Sequence, residues 1–248
     1  MTSSRAATPR QIGQAVRDLS AAQKAGAGVP AYTRYVNRPL GRLAAALAHV
    51  VGLTPNQVTV ISGVLSFLSI TVLVTMQPSL VLGIAVAVGL AAGYVLDSAD
   101  GQLARLRGGG SPAGEWLDHV VDAARMPALH LGVLIALYRF HGELPSALLL
   151  LPIGFLLVTV VRFFALILAE QMRRQSGPPE GVHSSTSDSA ARSLLALPGD
   201  FGVLCLIFIG WGSSSLFLVC YGILFVLNTL LLVLSLVRRY RELDVKAV

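Results

Sequence analysis

Hydrophobic positions fall in long blocks along the chain, parted by short polar breaks. Six apolar runs cover about 55–76, 80–106, 112–140, 144–173, 194–209 and 214–237. Each approaches or exceeds the ~20 residues an α-helix needs to cross a bilayer, the fifth being shortest. The pattern predicts an all-α, polytopic membrane protein with six transmembrane helices. Ahead of the first run, Leu40, Leu43, Leu47 and Val50 recur at helical spacing, with Arg38 and Arg42 to one side. That predicts a basic amphipathic helix within 32–53, lying at the membrane interface. Thr54 is then a good N-cap and Pro55 a good first helical residue. Residues 1–31 are polar and read either as a tail or as a short helix from Thr8-Pro9 to Lys24. The expected organisation is a polar segment (1–31), an interfacial helix (32–53), a six-helix membrane domain (54–238) and a C-terminal tail (239–248). No internal repeat is visible.

Composition supports this reading. Of 248 residues, 54% are hydrophobic and 13% charged, and the mean hydropathy is +0.69. Soluble domains carry roughly 25% charge, so a soluble enzyme is excluded. Cys205 and Cys220 lie in apolar runs and read as packing residues rather than a disulfide framework. The polar first residues lack an apolar core, so no cleavable signal sequence is expected.

Charge placement sets the expected orientation. Arg5, Arg10, Arg17, Lys24, Arg34, Arg38 and Arg42 precede the first run. Arg107 follows the second, Arg173, Arg174 and Arg192 follow the fourth, and Arg238, Arg239, Arg241 and Lys246 end the chain. The loops of the other side offer only Arg139. Six spans with both termini in the cytoplasm satisfy the positive-inside rule, in a multi-pass protein of the cell membrane. The net charge of +6 then reports loop topology and attraction to anionic lipid, not a nucleic-acid partner.

The chemistry concentrates at the junction of the second and third runs. There the chain reads Asp97, Asp100, Gly101, Ala104, Arg105, Gly114, Asp118 and Asp122, a D-x2-D-G-x2-A-R-x8-G-x3-D-x3-D spacing. Asp97 and Asp100 share one helix face, and Gly114, Asp118 and Asp122 step by four along another. The intervening 106–112 stretch is a turn by composition, and helices joined so closely are usually antiparallel neighbours. Four carboxylates can thus share one small volume, where they repel unless cations sit among them. A solvated acidic turn is disfavoured by the membrane-like flanks. Hard oxygen ligands suit Mg²⁺, Mn²⁺ or Ca²⁺. Asp97, Asp100 and Asp118 can hold a pair of divalent cations, with Asp122 bridging or beside them, an arrangement suited to in-line displacement at phosphorus. Gly101, Ala104 and Gly114 let a bulky ligand approach both helices. Arg105 can fork onto a phosphate.

All eight fixed positions match the signature of the CDP-alcohol phosphotransferases, also called CDP-alcohol phosphatidyltransferases, which this chain resembles with no departure inside the motif. The resemblance implies that Asp97, Asp100 and Asp118 bind Mg²⁺ or Mn²⁺, two ions in all, with Asp122 at the same site as general base. Asp122 would deprotonate an acceptor hydroxyl, which attacks the β-phosphate of a CDP-linked alcohol and expels CMP, in phospholipid or phosphodiester-polyol biosynthesis. Gly101, Ala104 and Gly114 would line the nucleotide pocket. The expected partners are a CDP-linked donor (CDP-diacylglycerol or a CDP-polar alcohol), a hydroxyl acceptor, membrane lipid and a second copy of the chain as a homodimer.

Other positions keep two readings. Asn56 and Thr59 either cap the first membrane helix or contact the nucleotide. Arg125 and Arg162, costly inside a membrane, either hold an acceptor phosphate, as a basic pocket does in relatives handling inositol phosphate, or pair with acids. Glu115, His119 and His130 border the site or simply pack. Asp200 reads as an N-terminal feature of the fifth run. The Ser-, Gly- and Pro-rich 175–191 loop is a linker or a cover for the site. The segment Arg34-Tyr35-Val36-Asn37-Arg38-Pro39 resembles members using inositol phosphate, whereas Gly114-Glu115-Trp116-Leu117-Asp118-His119 resembles members using CDP-choline or CDP-ethanolamine, so the substrates stay open. A cation- or proton-coupled transporter is the competing function; inverted repeats or discontinuous helices in matching halves would support it.

The orientation is testable by labelling single cysteines in a background lacking Cys205 and Cys220. Cysteines at positions 111 and 184 are expected to react from the cytoplasm, and those at 78 and 213 from the opposite side. Reversed labelling would overturn the topology.

Overall fold

The computed structural model describes residues 29–175 and 190–244, together with Gly13, Gln14, Val16, Arg17 and Leu19. The expectations for the first 28 residues, beyond those five positions, and for 176–189 fall outside these residues. Those described form helices and connecting turns, with no strand among them.

A π-helical turn, Thr33–Asn37, leads into α1 (Arg38–Val51). Gly41, Ala45, Ala46 and Ala48 of α1 are buried, whereas Leu40, Leu43 and Leu47 are exposed. The helix is therefore amphipathic in two senses. Small residues seat it on the bundle, with Ala45, Ala46, Ala48, Val58, Ala99 and Leu103 forming one apolar cluster, and the leucine stripe is left for an apolar environment. Gly52, at φ 86°, ends it. α2 (Pro55–Thr75) starts at a full capping box: Gln57 N donates to Thr54 Oγ1 at 3.2 Å, and Thr54 N donates to Gln57 Oε1 at 2.8 Å. α3 (Leu80–Leu106), α4 (Pro112–Phe140) and α5 (Leu150–Gln175) follow, then short α6 (Ala190–Leu195) and α7 (Phe201–Ile207), and finally α8 (Ser214–Asp244).

Among the described residues, five helices are long and apolar enough to cross a membrane: Pro55–Thr75, Leu80–Leu106, Pro112–Phe140, Ser146–Arg174 and Ser214–Leu243. The fifth apolar run differs from the expected unbroken helix. It divides into α6, a 3₁₀ turn at Leu197–Gly199, α7 and a second 3₁₀ turn at Phe208–Gly212. Pro198-Gly199 interrupts the helical ladder, and Asp200 restarts it by accepting from Gly202 N at 3.0 Å. Leu151 lies beside Gly222, Gly154 beside Phe225 and Arg162 beside Asn228, so α5 and α8 run parallel. Gly199 lies against Arg162, midway along α5. Gly212 arrives against Leu80, at the far end of α3 from the motif. The last helix also runs past the expected boundary at 238, to Asp244.

Small residues bring the helices together, as expected where apolar burial alone gives helices no preference for one another over lipid. Gly93 of α3 faces Ser62 and Ser66 of α2, and Gly132 of α4 faces Ile70. Pairs 69/89, 66/93 and 59/100 make α2 antiparallel to α3, whereas 63/121 and 70/132 make it parallel to α4. At the end remote from the motif, Leu73, Leu90, Leu129, Phe155, Phe208 and Trp211 belong to one apolar core. His130 is wholly buried beside it, 2.6 Å from the Tyr221 hydroxyl and stacked on Phe155 at 4.4 Å.

A polar tie fixes the approach to α1. Asp200 Oδ2 accepts from Thr33 N at 2.7 Å and from its hydroxyl at 2.8 Å, and the Tyr94 hydroxyl lies 2.7 Å from the same Thr33 oxygen. Tyr32 rests on Gly202. Burial there, followed by the nearby Cys205 and Asp200, raises its phenol above the ordinary value.

The packing argument is tested at two glycines. A Cβ on Gly93 would lie 3.2 Å from the Ser62 carbonyl and press on the Ser66 hydroxyl, whereas one on Gly222 would make an ordinary 3.8 Å contact with Leu151. Gly93→Ala is expected to destabilise the protein by about 1–3 kcal/mol through overpacking, with Gly222→Ala near neutral. Thermal unfolding in detergent would show this, and equal midpoints would refute it.

Candidate active site

The motif's two halves lie on α3 and α4, joined by a turn in which Gly108 and Gly109 take φ of 93° and 130°. Such angles suit glycine. Ser111 caps α4 by accepting from Gly114 N at 3.0 Å, with Pro112 following. Despite so short a connection, α3 and α4 make only marginal contact, while α2 packs against both. The helices are antiparallel and their acidic rows face each other, as expected, but across a gap, with α2 packed on both.

Asp97, Asp118 and Asp122 bring carboxylate oxygens within 4.8 Å of one another. Asp100 stands beside this group rather than in it. It is 6% exposed and accepts from the Thr59 hydroxyl at 2.5 Å. Three convergent hard oxygens from two helices fit a divalent cation such as Mg²⁺ or Mn²⁺.

The gap opens into a cavity of about 1070 Å³ at the motif end of the bundle. Asn56, Thr59, Gly101, Ala104, Arg105 and Gly114 all line it, beside Asp100 and Asp118. Six positions expected to meet a nucleotide are thus brought to one wall system. A Cβ on Gly114 would lie 2.9 Å from Asn56 Oδ1, so side-chain absence there preserves the approach of α2 to α4.

Arg125 and Arg162 do not line the cavity. Arg125 is 1% exposed, and its Nη2 donates to Asp97 Oδ1 at 2.7 Å and to Asp122 Oδ1. Arg162 donates to Asn228 Oδ1 at 2.9 Å and lies against Gly199. Of the positions with two readings, Glu115 and His119 border the cavity and His130 packs in the core.

Sequence reasoning missed the wall supplied by α5: Leu166, Ile167, Glu170, Gln171 and Arg174. Arg174 Nη1 pairs with Glu115 across to α4 at 2.9 Å. Glu170 is the one acid in the 144–173 run, and that was the available signal. Ser62 was missed as well. It donates to the Gly93 carbonyl at 2.8 Å and accepts from Arg125 Nη1 at 3.3 Å. Its signal was the buried Ser62, Ser66 and Ser69 stripe at helical spacing.

Comparison with known proteins yields a family model, described as CDP-alcohol phosphatidyltransferase, that matches residues 52–237. No curated protein matches the chain. Among solved structures, the chain is similar to the phosphatidylinositol phosphate synthase of Mycobacterium tuberculosis with CDP-DAG bound. The TM-score is 0.53 at 24% identity, covering 83% of this chain and 94% of that one. The same enzyme in complex with manganese and citrate gives 0.54 at 23% identity, covering 83% and 89%. At these identities the likeness is one of fold.

The buried Thr59–Asp100 contact carries its own test. Thr59→Val keeps shape but removes the donor, leaving a buried carboxylate short of a partner, a loss of about 1–3 kcal/mol. Thr59→Ser is expected to retain most of the stability. Thermal unfolding that ranks serine with valine would refute the hydroxyl's role.

Proposed function

The chain belongs to the CDP-alcohol phosphatidyltransferase family, and from that premise we propose that it transfers a phosphatidyl-type group from CDP-diacylglycerol to an acceptor alcohol, releasing CMP, at a site built on the Asp97–Asp122 motif. The observation that carries the reading is the convergence of Asp97, Asp118 and Asp122 within 4.8 Å, beside a cavity lined by every small or polar residue expected to meet the nucleotide. A structure of the same fold was solved with CDP-DAG bound, and another with manganese. Both support the donor and the divalent cation proposed here.

Asp97, Asp100, Asp118 and Asp122 are the proposed ligands of two divalent cations. Divalent metal bound there supplies positive charge that screens the diphosphate and the departing oxygen. Gly101, Ala104 and Gly114 keep the walls low enough for the cytidine to enter. Arg105 forks onto a phosphate, and Asn56 and Thr59 border the nucleotide from α2. Asp122 takes the proton of the acceptor hydroxyl. That oxygen forms a bond to the β-phosphorus, the bond from phosphorus to the bridging oxygen breaks, and CMP leaves with its electron pair. The contacts of Arg125 and Arg162 favour structural pairing, so neither is assigned to the acceptor. A homodimer in the cell membrane, with both termini cytoplasmic, completes the proposal. The transporter reading lacks its expected mark: the break at 197–200 has no counterpart among the other described spans.

The test is release of labelled CMP from CDP-diacylglycerol by the purified chain, over a panel of acceptor alcohols, with Mg²⁺ or with chelator. Turnover is expected with metal and not with EDTA; full activity in chelator would sink the metal assignment. Asp122→Asn is expected to lose ~10²–10⁴-fold in kcat, the usual worth of a general base, while binding CDP and Mg²⁺ nearly as wild type does. Asp97→Asn should instead lose metal-dependent CDP binding. Calorimetric titration beside turnover separates the two, and equal loss of affinity in both variants would remove Asp122 as the base.

A further inference from the structure

Asp97 and Asp122 stand on helices that make only marginal direct contact with each other and are spaced by α2, which leaves the carboxylates themselves to be fixed by side-chain contacts. One side chain spans the gap. Nη2 of Arg125 donates to Oδ1 of both carboxylates. The guanidinium is itself held from two further elements. Its Nη1 donates to Ser62 Oγ of α2 at 3.3 Å, and Ser62 is in turn anchored to the Gly93 carbonyl of α3. Its carbon lies 5.4 Å from the centre of the Phe201 ring on α7, within the range of a cation–π contact.

We propose that Arg125 is a positioning residue, a buried bracket that fixes the mutual placement of Asp97 and Asp122 before metal enters; this rests on the metal-dependent reading above. At 1% exposure, with both Nη atoms engaged by Asp97, Asp122 and Ser62, the side chain is not placed to meet a substrate. Its contact with each carboxylate uses one oxygen, Oδ1. A carboxylate with one oxygen held by a donor presents the other in a set direction, and such supporting contacts typically govern metal affinity by ~10–100-fold. Charge neutralisation alone would be served equally by lysine. The fork onto Ser62 and the planar face on Phe201 are features that only arginine supplies.

The experiment measures Mn²⁺ binding to the full chain in detergent, by the loss of the free-ion electron paramagnetic resonance signal, for wild type, Arg125→Gln, Arg125→Lys and Ser62→Ala. Thermal unfolding of the same preparations checks the fold. Arg125→Gln is expected to bind Mn²⁺ ~10–100-fold more weakly. Arg125→Lys, which keeps the charge and loses the fork, should weaken binding by about tenfold, at the low end of that range. Ser62→Ala should weaken it less than either. Where Arg125→Gln does not fold, the lysine and Ser62 variants carry the test. Folded Arg125→Lys with wild-type affinity would overturn the bracket, as would tighter binding in Arg125→Gln, since the arginine would then be competing with metal. Wild type that binds no Mn²⁺ is a separate result, which removes the metal reading and this proposal with it.

Discussion

Like charges gathered in an apolar helix bundle separate unless something holds them, and here the hold is a guanidinium. Asp97, Asp118 and Asp122 converge from two helices that barely touch, and Arg125 joins two of the three. Removing one partner of such a buried arrangement leaves uncompensated charge, which is why buried ion pairs are strongly destabilising to break even when they add little stability as a whole. The arginine therefore needs support of its own. Ser62 and the Phe201 ring supply it, which draws α2 and the interrupted fifth segment into the architecture of the acidic site.

The gap between α3 and α4 is as consequential as the charges. Closely packed neighbours would have pressed the two acidic rows together and left no cavity between them. Instead α2 packs on both helices through serines and glycines, antiparallel to one and parallel to the other, and the space it maintains at the motif end becomes a cavity of about 1070 Å³. The far end is filled by aromatic and leucine side chains, so the bundle is solid there and open at the motif end. The Arg174–Glu115 pair joins α4 to the α5 wall at the open end.

Interruption of the fifth segment has a comparable use. A straight helix would offer no free backbone amide at mid-depth, whereas the break at Pro198-Gly199 exposes an N-terminus that Asp200 caps. The second oxygen of Asp200 then receives Thr33, tying the approach to the interfacial helix into the bundle. The Pro198 carbonyl released by the same break is taken by Asn228, which also holds Arg162. The Gly202 amide and the Pro198 carbonyl, both freed by the interruption, thus gain partners, as apolar surroundings require.

By itself the sequence determined the all-helical class, the ends of α2, α3 and α4, and the identity of the acidic motif, because these rest on local physics: apolar run length, capping by Thr54 and Ser111, and fixed spacing along one helix. It also determined which residues could share a wall beside the aspartates, since Gly101, Ala104, Arg105 and Gly114 sit at set offsets from them and all line the cavity. Only the tertiary structure decided what lies between those rows. Whether α3 and α4 pack or part depends on α2, more than twenty residues away in sequence for much of its contact, and no spacing rule reports that. The same holds for Arg125. Its place three residues after Asp122 is compatible with facing a substrate or facing Asp97, and the choice was made by Ser62 and Phe201 arriving from other helices. The α5 wall, with Glu170 and Arg174, was signalled only by one acid near a helix end, because membership of a cavity is a property of where a helix ends in space, and the sequence of one helix does not contain it.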